Sequence, residues 1–494
     1  MMAAYHTDRL LPRTQQITHE INMLKIQRIE KLTEIDWLKP PNIFFLIVLF
    51  VFLRIPMLFL GFGLDPDAWR IANSAFDLRY HLTYHASRFP GYPLPELVNS
   101  LLINFGWTAT NSLTMLLSLL SVLTFGSLLR SNGLNNKGLL TATYAFTPLL
   151  WINSTNSMEY MWALSFIMFS WFSLTHKKYI VGGIMMGLAL GSRPQAIFFL
   201  VPFFFLLIAN DVKKGDIFKF ALSFLAVSGM IFLPLILTYG FTFIRHYPPR
   251  TTVLHIVYQA IKYFGLPSLI LLAALSITSL KALSMMLVKR KTNDMFILLA
   301  VVTVCASFTI TPYHFEYLIP LIPFGLVLMS RIGKKPLFIL LCCCILLHSF
   351  LSVGSIQNTG TGSFRVRAVD SGAVLNNIKE RREQITTIMR LSERELDQGS
   401  VVIAGPWLPI IAYLDDNVSS VMGEKRMYDS NISGQGVWDF QHNIWYRYLI
   451  DLDELSMLLK KGFKIQYIDR IREYTTEVYG YDLNEYGAVF LEIQ

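Results

Sequence analysis

Eleven apolar stretches dominate the chain, at residues 42–62, 108–129, 138–152, 159–175, 179–191, 195–209, 217–239, 266–288, 295–310, 317–330 and 336–353. Several approach the ~20 residues a helix needs to cross a bilayer, and several are shorter. Basic clusters punctuate them at Arg130/Lys137, Lys177/Lys178, Lys213/Lys214/Lys219, Lys289/Arg290/Lys291 and Arg331/Lys334/Lys335. Lys and Arg gather at the cytoplasmic ends of membrane helices, so an even number of crossings must separate each adjacent pair of clusters. Only 34 residues lie between Lys178 and Lys213, with Gly191-Ser192-Arg193-Pro194 in their middle. Two crossings of about 15 residues reach roughly 23 Å each, short of a ~30 Å hydrocarbon core. Arg193 is therefore expected below the outer surface, where a charge is tolerated only inside protein or beside a polar cavity.

The expected fold class is a polytopic α-helical membrane protein with about 11 transmembrane segments and a small C-terminal α/β domain. Residues 1–41 read as a cytoplasmic arm, 42–354 as the transmembrane domain with its first outer loop at 63–107, and 355–494 as an extracytoplasmic domain. Composition agrees, since 53% of the residues are hydrophobic and 16% charged, against about 25% charged in soluble proteins. The net charge of +9 divides unevenly: 28 basic against 14 acidic residues through Gly354, then 15 against 20. The basic excess belongs to the membrane part, which removes nucleic acid as a partner. Cys305 and the run Cys342, Cys343, Cys344 lie in apolar stretches and read as small hydrophobes. In the tail, a linker is expected at 357–362, helices at 371–396 and 451–461, and strands at 401–404, 464–468 and 488–493.

The outer loops, at 63–107, 153–158, 192–194, 240–265 and 311–316, hold the candidate chemistry. The first opens with Asp65-Pro66-Asp67. Asp65 as N-cap, Pro66 at the first helical position and Asp67 in the first turn make a complete helix start. That explains the pattern structurally, while the placement of two carboxylates at the membrane boundary makes Asp65 and Asp67 the candidate catalytic acids. Further on, Arg88-Phe89-Pro90-Gly91-Tyr92-Pro93 fixes a turn, with Arg88 and Tyr92 expected to line a cavity. Arg193 needs an anion, either a lipid phosphate or a buried carboxylate such as Glu159. Arg245, His246 and Arg250 are further candidate phosphate ligands, and Glu159, Tyr313, His314 and Glu316 candidate cavity residues.

Together these pieces resemble the GT-C superfamily of integral-membrane glycosyltransferases, which includes protein O-mannosyltransferases and aminoarabinose transferases. The matching features are the first-loop Asp pair, the Pro90–Pro93 turn, Gly191–Pro194 after a Gly-rich segment, and P-x-x-x-E-Y-x-x-P over Pro312–Pro320. The resemblance covers roughly residues 42–353. It implies a polyprenyl-phosphate-linked sugar as donor, a lipid, glycan or protein acceptor, a first-loop acid as general base, and inversion at the anomeric carbon. No cofactor is certain. Some members use a divalent cation (Mg or Mn) at the first-loop acids, which here would fall to Asp65 and Asp67. The pair is D-P-D rather than the Asp-Glu of the protein mannosyltransferases.

The alternatives are a lipid-linked saccharide flippase or transporter, and a polysaccharide polymerase or ligase. The first predicts mid-helix charges and pseudo-symmetric halves, whereas Arg54 is almost the sole charge within an apolar segment and no internal repeat is visible. The second is expected to carry its long loop late in the membrane region. The expected location is the plasma (inner) membrane of a prokaryote rather than the endoplasmic reticulum. The sequons at Asn153, Asn417 and Asn431 fall on outward segments, but sequons arise by chance too often to argue for a lumen.

Overall fold

The computed structural model describes residues 33–244, 252–312, 314–358, 364–392, 396, 398–414, 436–439, 443–468, 471–472, 475–476 and 480–491. Arg245, His246, Arg250, Tyr313, most of the N-terminal arm and the sequons at Asn417 and Asn431 lie outside these residues.

The membrane part runs α1 (Asn42–Leu58), α2 (Pro66–His81), α3 (Pro93–Leu102), α4 (Gly106–Ser131), α5 (Lys137–Phe146), α6 (Pro148–Asn153), α7 (Tyr160–Thr175) and α8 (Tyr179–Ser192). A 3-10 turn at Pro194–Phe199 leads into α9 (Leu200–Ala209) and α10 (Lys214–Tyr239). Then come α11 (Val253–Phe264), α12 (Leu266–Thr278), α13 (Leu280–Lys289), α14 (Thr292–Ile310), a 3-10 turn at Phe315–Leu318, α15 (Leu321–Ile332) and α16 (Lys335–His348). Each apolar stretch of the sequence coincides with a helix or a consecutive pair of helices. The stretch at 266–288 is broken at Ser279 into α12 and α13, and the one at 336–353 ends as helix at His348.

Among the described residues, three helices are long and apolar enough to cross a membrane: Pro93–Ser131, Lys214–Tyr239 and Thr292–Ile310. A fourth is added if α11 and α12, bent by 104°, form one broken span. Length and composition thus support three or four of the eleven expected crossings, and α1, α7, α8, α9, α15 and α16 are apolar but shorter. On α10 large apolar side chains face outward, Met230 74% and Leu237 76% exposed, as on a surface that meets hydrocarbon.

Helices α8 and α10 approach backbone to backbone. Gly183, Gly187 and Gly191 recur every four residues and share one face of α8. A Cβ on Gly183 would lie 2.2 Å from the Phe220 carbonyl oxygen, and one on Gly191 2.5 Å from Ile231. Small residues spaced this way let membrane helices touch, and the contact fixes where α8 ends and presents Arg193.

The tail begins with an antiparallel hairpin, β1 (Leu351–Asn358) against β2 (Phe364–Ser371), paired from Leu351↔Ser371 to Asn358↔Phe364. Gln357 and Asn358 of the expected linker belong to β1, and the rest of that linker, 359–362, lies outside the described residues. Then follow α17 (Ala373–Ser392), β3 (Ser400–Ile403), α18 (Leu408–Leu414), β4 (Gly436–Asp439), β5 (Ile444–Arg447), α19 (Leu452–Lys460), β6 (Lys464–Tyr467) and β7 (Val489–Phe490). The sheet order is β4-β5-β3-β6-β7, parallel except for the edge strand β4. All four residues of β3 are buried, as a central strand covered on both faces requires.

Candidate active site

The turn into α2 is built locally, as its sequence dictates. Asp65 has extended backbone and its side chain accepts from the Asp67 N–H at 2.9 Å, while Pro66 opens the helix. Trp69, fully buried, donates from Nε1 to the Gly63 carbonyl at 2.8 Å and pins the approach to the turn. The tail holds the same segment from the other side. Arg381 of α17 donates to the carbonyls of Leu60 (2.8 Å), Gly61 (2.9 Å) and Thr155 (3.1 Å), and Gln384 donates to that of Leu64 (2.9 Å). Burial without a carboxylate pulls the Arg381 pKa down, to about 9, so the group is still a cation at neutral pH.

Behind the turn lies a chain of five charges. Asp67 accepts from Arg70 at 3.1 Å on one oxygen and from Arg88 at 2.9 Å on the other. Arg88 reaches on to Glu159 at 2.7 Å, and the same Glu159 oxygen takes Arg193 at 2.6 Å. Glu159 is fully buried and Arg193 is 5% exposed. The Arg193 guanidinium stands 4.0 Å from the Tyr317 ring and 4.5 Å from that of Tyr160, while Arg88 covers Tyr92 at 4.1 Å. Of the two anions offered to Arg193 by its sequence context, the structure supplies Glu159. Three cations against two anions leave this chain with one surplus positive charge beside Asp65.

The loop carrying Arg88 is closed by a carboxylate that sequence reasoning missed. Glu96, fully buried in the first turn of α3, accepts from Tyr84 Oη at 2.6 Å, Ser87 N at 2.6 Å and Tyr92 N at 3.4 Å. Its signal was an acid in the first turn of a proline-started helix, a pattern that reads equally well as a plain helix start.

A cavity of about 500 Å3 opens over the turn, and Asp65, Asp67, Arg70, His314 and Glu316 lie on its wall. One face of α11 contributes His255, Gln259 and Lys262, and Arg381 and Tyr448 of the tail complete it. Lys262 also pairs with Glu380 at 3.4 Å, and Glu316 accepts from Tyr263 Oη at 2.5 Å. Arg88, Tyr92 and Glu159, expected to line the cavity, instead form the buried network behind Asp67, in which Glu159 Oε2 has no hydrogen-bond partner. Lys262 and Arg381 were not legible as site residues, since only the tertiary fold brings them to the turn. Arg70, one helical turn after Asp67, could have been read as its partner. Asn153 is 2% exposed and bonded to the Leu149 carbonyl at 2.8 Å, so the amide of this sequon is buried.

The two acids differ in proton affinity. Burial, and next the charge on Asp67, raise the Asp65 pKa to about 6. Burial also pushes Asp67 up, but Arg88 and Arg70 outweigh it and hold this carboxyl below the usual range. On residues that line the cavity, Tyr160 Oη and Asn377 Oδ1 are buried with no hydrogen-bond partner. A divalent cation does not suit the acid pair: both Asp67 oxygens are held by guanidinium groups. Among the described residues no group of three His, Cys, Asp or Glu could hold a metal ion.

A second, apolar cavity of about 340 Å3 lies among α12, α14, α15 and α16, lined by residues including Phe264, Leu272, Leu318, Leu326 and Ile345. Phe315 lines both cavities. Gly265, at φ +78°, makes the elbow that turns the chain from the polar wall on α11 to the apolar wall on α12.

No family model matches the chain, and no curated protein matches it. Among solved structures, the chain is similar to ArnT from Cupriavidus metallidurans in the apo state. The TM-score is 0.46 and the identity 12%, over 72% of this chain and 82% of that one. For the same protein bound to undecaprenyl phosphate the TM-score is 0.38 and the identity 14%, over 57% of this chain and 59% of that one. At these identities the likeness assigns no role to any residue of this chain.

Proposed function

We propose that this protein is a membrane glycosyltransferase that moves a sugar from a polyprenyl-phosphate carrier to an acceptor hydroxyl on the extracytoplasmic side. The observation that carries the reading is the junction at Phe315, shared by a polar cavity holding Asp65 and an apolar groove between helices. A lipid-carried sugar has the same two parts, a hydroxyl-rich head with a phosphate and a hydrocarbon tail. The resemblance read in the sequence points the same way.

Asp65 is the base. Its pKa near 6 leaves it ionised at neutral pH yet close enough to accept a proton, whereas Asp67 is tied to two arginines. In the proposed step Asp65 takes the acceptor's hydroxyl proton, the oxygen bonds to C1 of the sugar, and the C1–O bond to phosphate breaks with its electron pair going to the phosphate. Proton uptake neutralises Asp65 and uncovers the surplus positive charge of the network as negative charge grows on the leaving phosphate. Lys262, Arg70 and Arg381 on the cavity wall are the proposed phosphate partners, with Arg245, His246 and Arg250 as further candidates. Arg193 acts one step back, by holding Glu159 against Arg88 and so Arg88 against Asp67.

Asp65→Asn is expected to lower transfer at least a hundredfold in reconstituted membranes while the protein accumulates and keeps its carrier lipid, read by mass spectrometry of the purified protein. Undiminished transfer overturns the assignment. Gly325 lines the groove with space beside it, since an added Cβ meets nothing nearer than Leu321 at 3.9 Å. Gly325→Phe should therefore fill the groove and deplete the co-purified lipid. Lipid content unchanged from the parent protein removes the groove from the proposal.

A further inference from the structure

The tail sheet turns its ligand-binding end toward the Asp65 turn. From the central strand β3 the chain passes to β5 on one side and then to β6 on the other, so the strand order reverses at β3. In open α/β sheets a ligand crevice forms outside the carboxyl ends of the strands at such a reversal. Here those ends lie on two cavities. Pro406 follows β3 and Tyr448 follows β5, and both line the cavity of Asp65. Trp407 after β3, Ile468 after β6, and Phe490 and Leu491 at β7 line a neighbouring cavity of about 400 Å3.

The other wall of that neighbouring cavity is α17, through Glu380, Glu383, Gln384 and Thr387. Leu64 lines both cavities and immediately precedes Asp65. Its carbonyl is held by Gln384 at 2.9 Å, so the partition is fixed by the tail itself. An indole on one side and carboxylate, amide and hydroxyl groups on the other suit a sugar, whose C–H face stacks on an aromatic ring while its hydroxyls take hydrogen bonds. Glu380 and Glu383 are paired with Lys262 and Lys379, and none of the described residues lining this cavity is a cation that would hold a phosphate.

We propose that this second cavity binds the acceptor, a carbohydrate-bearing molecule, and delivers one of its hydroxyl groups past Leu64 to Asp65. This rests on the reading of Asp65 as the transfer site. It assigns the tail a role in catalysis, that of the acceptor-binding half.

The test uses the full-length protein in nanodiscs, with methyl hexosides, maltose and cellobiose as probes, read by saturation-transfer NMR. Wild type should saturate the ring protons of at least one probe. Trp407→Ala should reduce that signal at least fivefold and Trp407→Phe should retain it. Thr387→Trp, which fills the cavity from the helix side, should abolish it without altering the co-purified lipid. Absence of signal from every probe with wild type, or an unchanged signal in Trp407→Ala and Thr387→Trp, overturns the proposal. Asp65→Asn separates the two readings: it should bind the probe normally while failing to transfer. Probe binding together with undiminished transfer in Asp65→Asn overturns the assignment of Asp65 and leaves the sugar site standing.

Discussion

Asp65 and Asp67 sit two residues apart and are assigned opposite tasks by their neighbours. Asp67 spends both oxygens on guanidinium groups and stays ionised; Asp65 feels burial and the Asp67 charge and is raised to about 6. A base acts in its deprotonated form, so transfer is expected to fall about tenfold per pH unit below an apparent pKa near 6 and to level off above it. Because the two acids are coupled, the apparent value belongs to the pair. Asp67→Asn removes the like charge that raises Asp65 while leaving its burial, so the acid limb of kcat/KM should move to lower pH. A limb that stays in place or moves upward contradicts this assignment. The Asp pair was legible because a helix start is encoded locally, in three consecutive residues. The Arg193–Glu159 pair was legible only as one of two options, since membrane depth demands an anion without saying which. Arg381 carried no signal at all: in the sequence it is one more charge on a charged helix.

At the scale of elements, the placing of Arg193 depends on how α8 lies on α10. Gly183→Ala puts a methyl group 2.2 Å from the Phe220 carbonyl oxygen and 2.0 Å from Ser223 Oγ. Backbone cannot yield to that contact without separating the helices. The substitution is expected to destabilise the protein by about 1–3 kcal/mol, as overpacking does, and to reduce transfer because Arg193 shifts from Glu159. Gly229→Ala, on α10 where an added Cβ meets nothing within 4 Å, is the matched control and should be neutral or slightly stabilising. Thermal unfolding in detergent compares the two, and equal midpoints would show that the close approach does not carry the packing. Hydropathy made these helices visible in the sequence, and their segment boundaries held to within a few residues at most positions. What it could not show was the break at Ser279, the tail hairpin, or the bend at Gly265, which answers to a contact between distant segments. Gly265, for instance, is needed partly because a Cβ there would lie 2.7 Å from His348.

Across the whole molecule, the basic excess of the membrane part divides into two uses. Most of it marks helix ends, and a few groups, Arg70, Arg88 and Arg193 among them, are drawn into the buried network. The tail joins this arrangement through Arg381, whose guanidinium satisfies carbonyls of Leu60, Gly61 and Thr155 at once. Sequence reasoning placed an α/β domain after the last membrane helix but gave no reason for it to bear on the acids, because that coupling exists only in the assembled fold. Arg381→Ala leaves those three carbonyls without their donor, at a cost of about 1–3 kcal/mol for each one that water fails to reach. The tail has a core of its own, from β3 and β6 with α19, that does not use Arg381. The tail should therefore stay folded while its hold on the Asp65 turn loosens. The expected result is loss of transfer with carrier lipid retained, together with faster limited proteolysis between α16 and α17. Arg381→Lys, which offers one ammonium where a planar fork served three carbonyls, should fall between the two. If proteolysis and transfer in Arg381→Ala both match the parent protein, the tail is a cover over the cavity and takes no part in holding the turn.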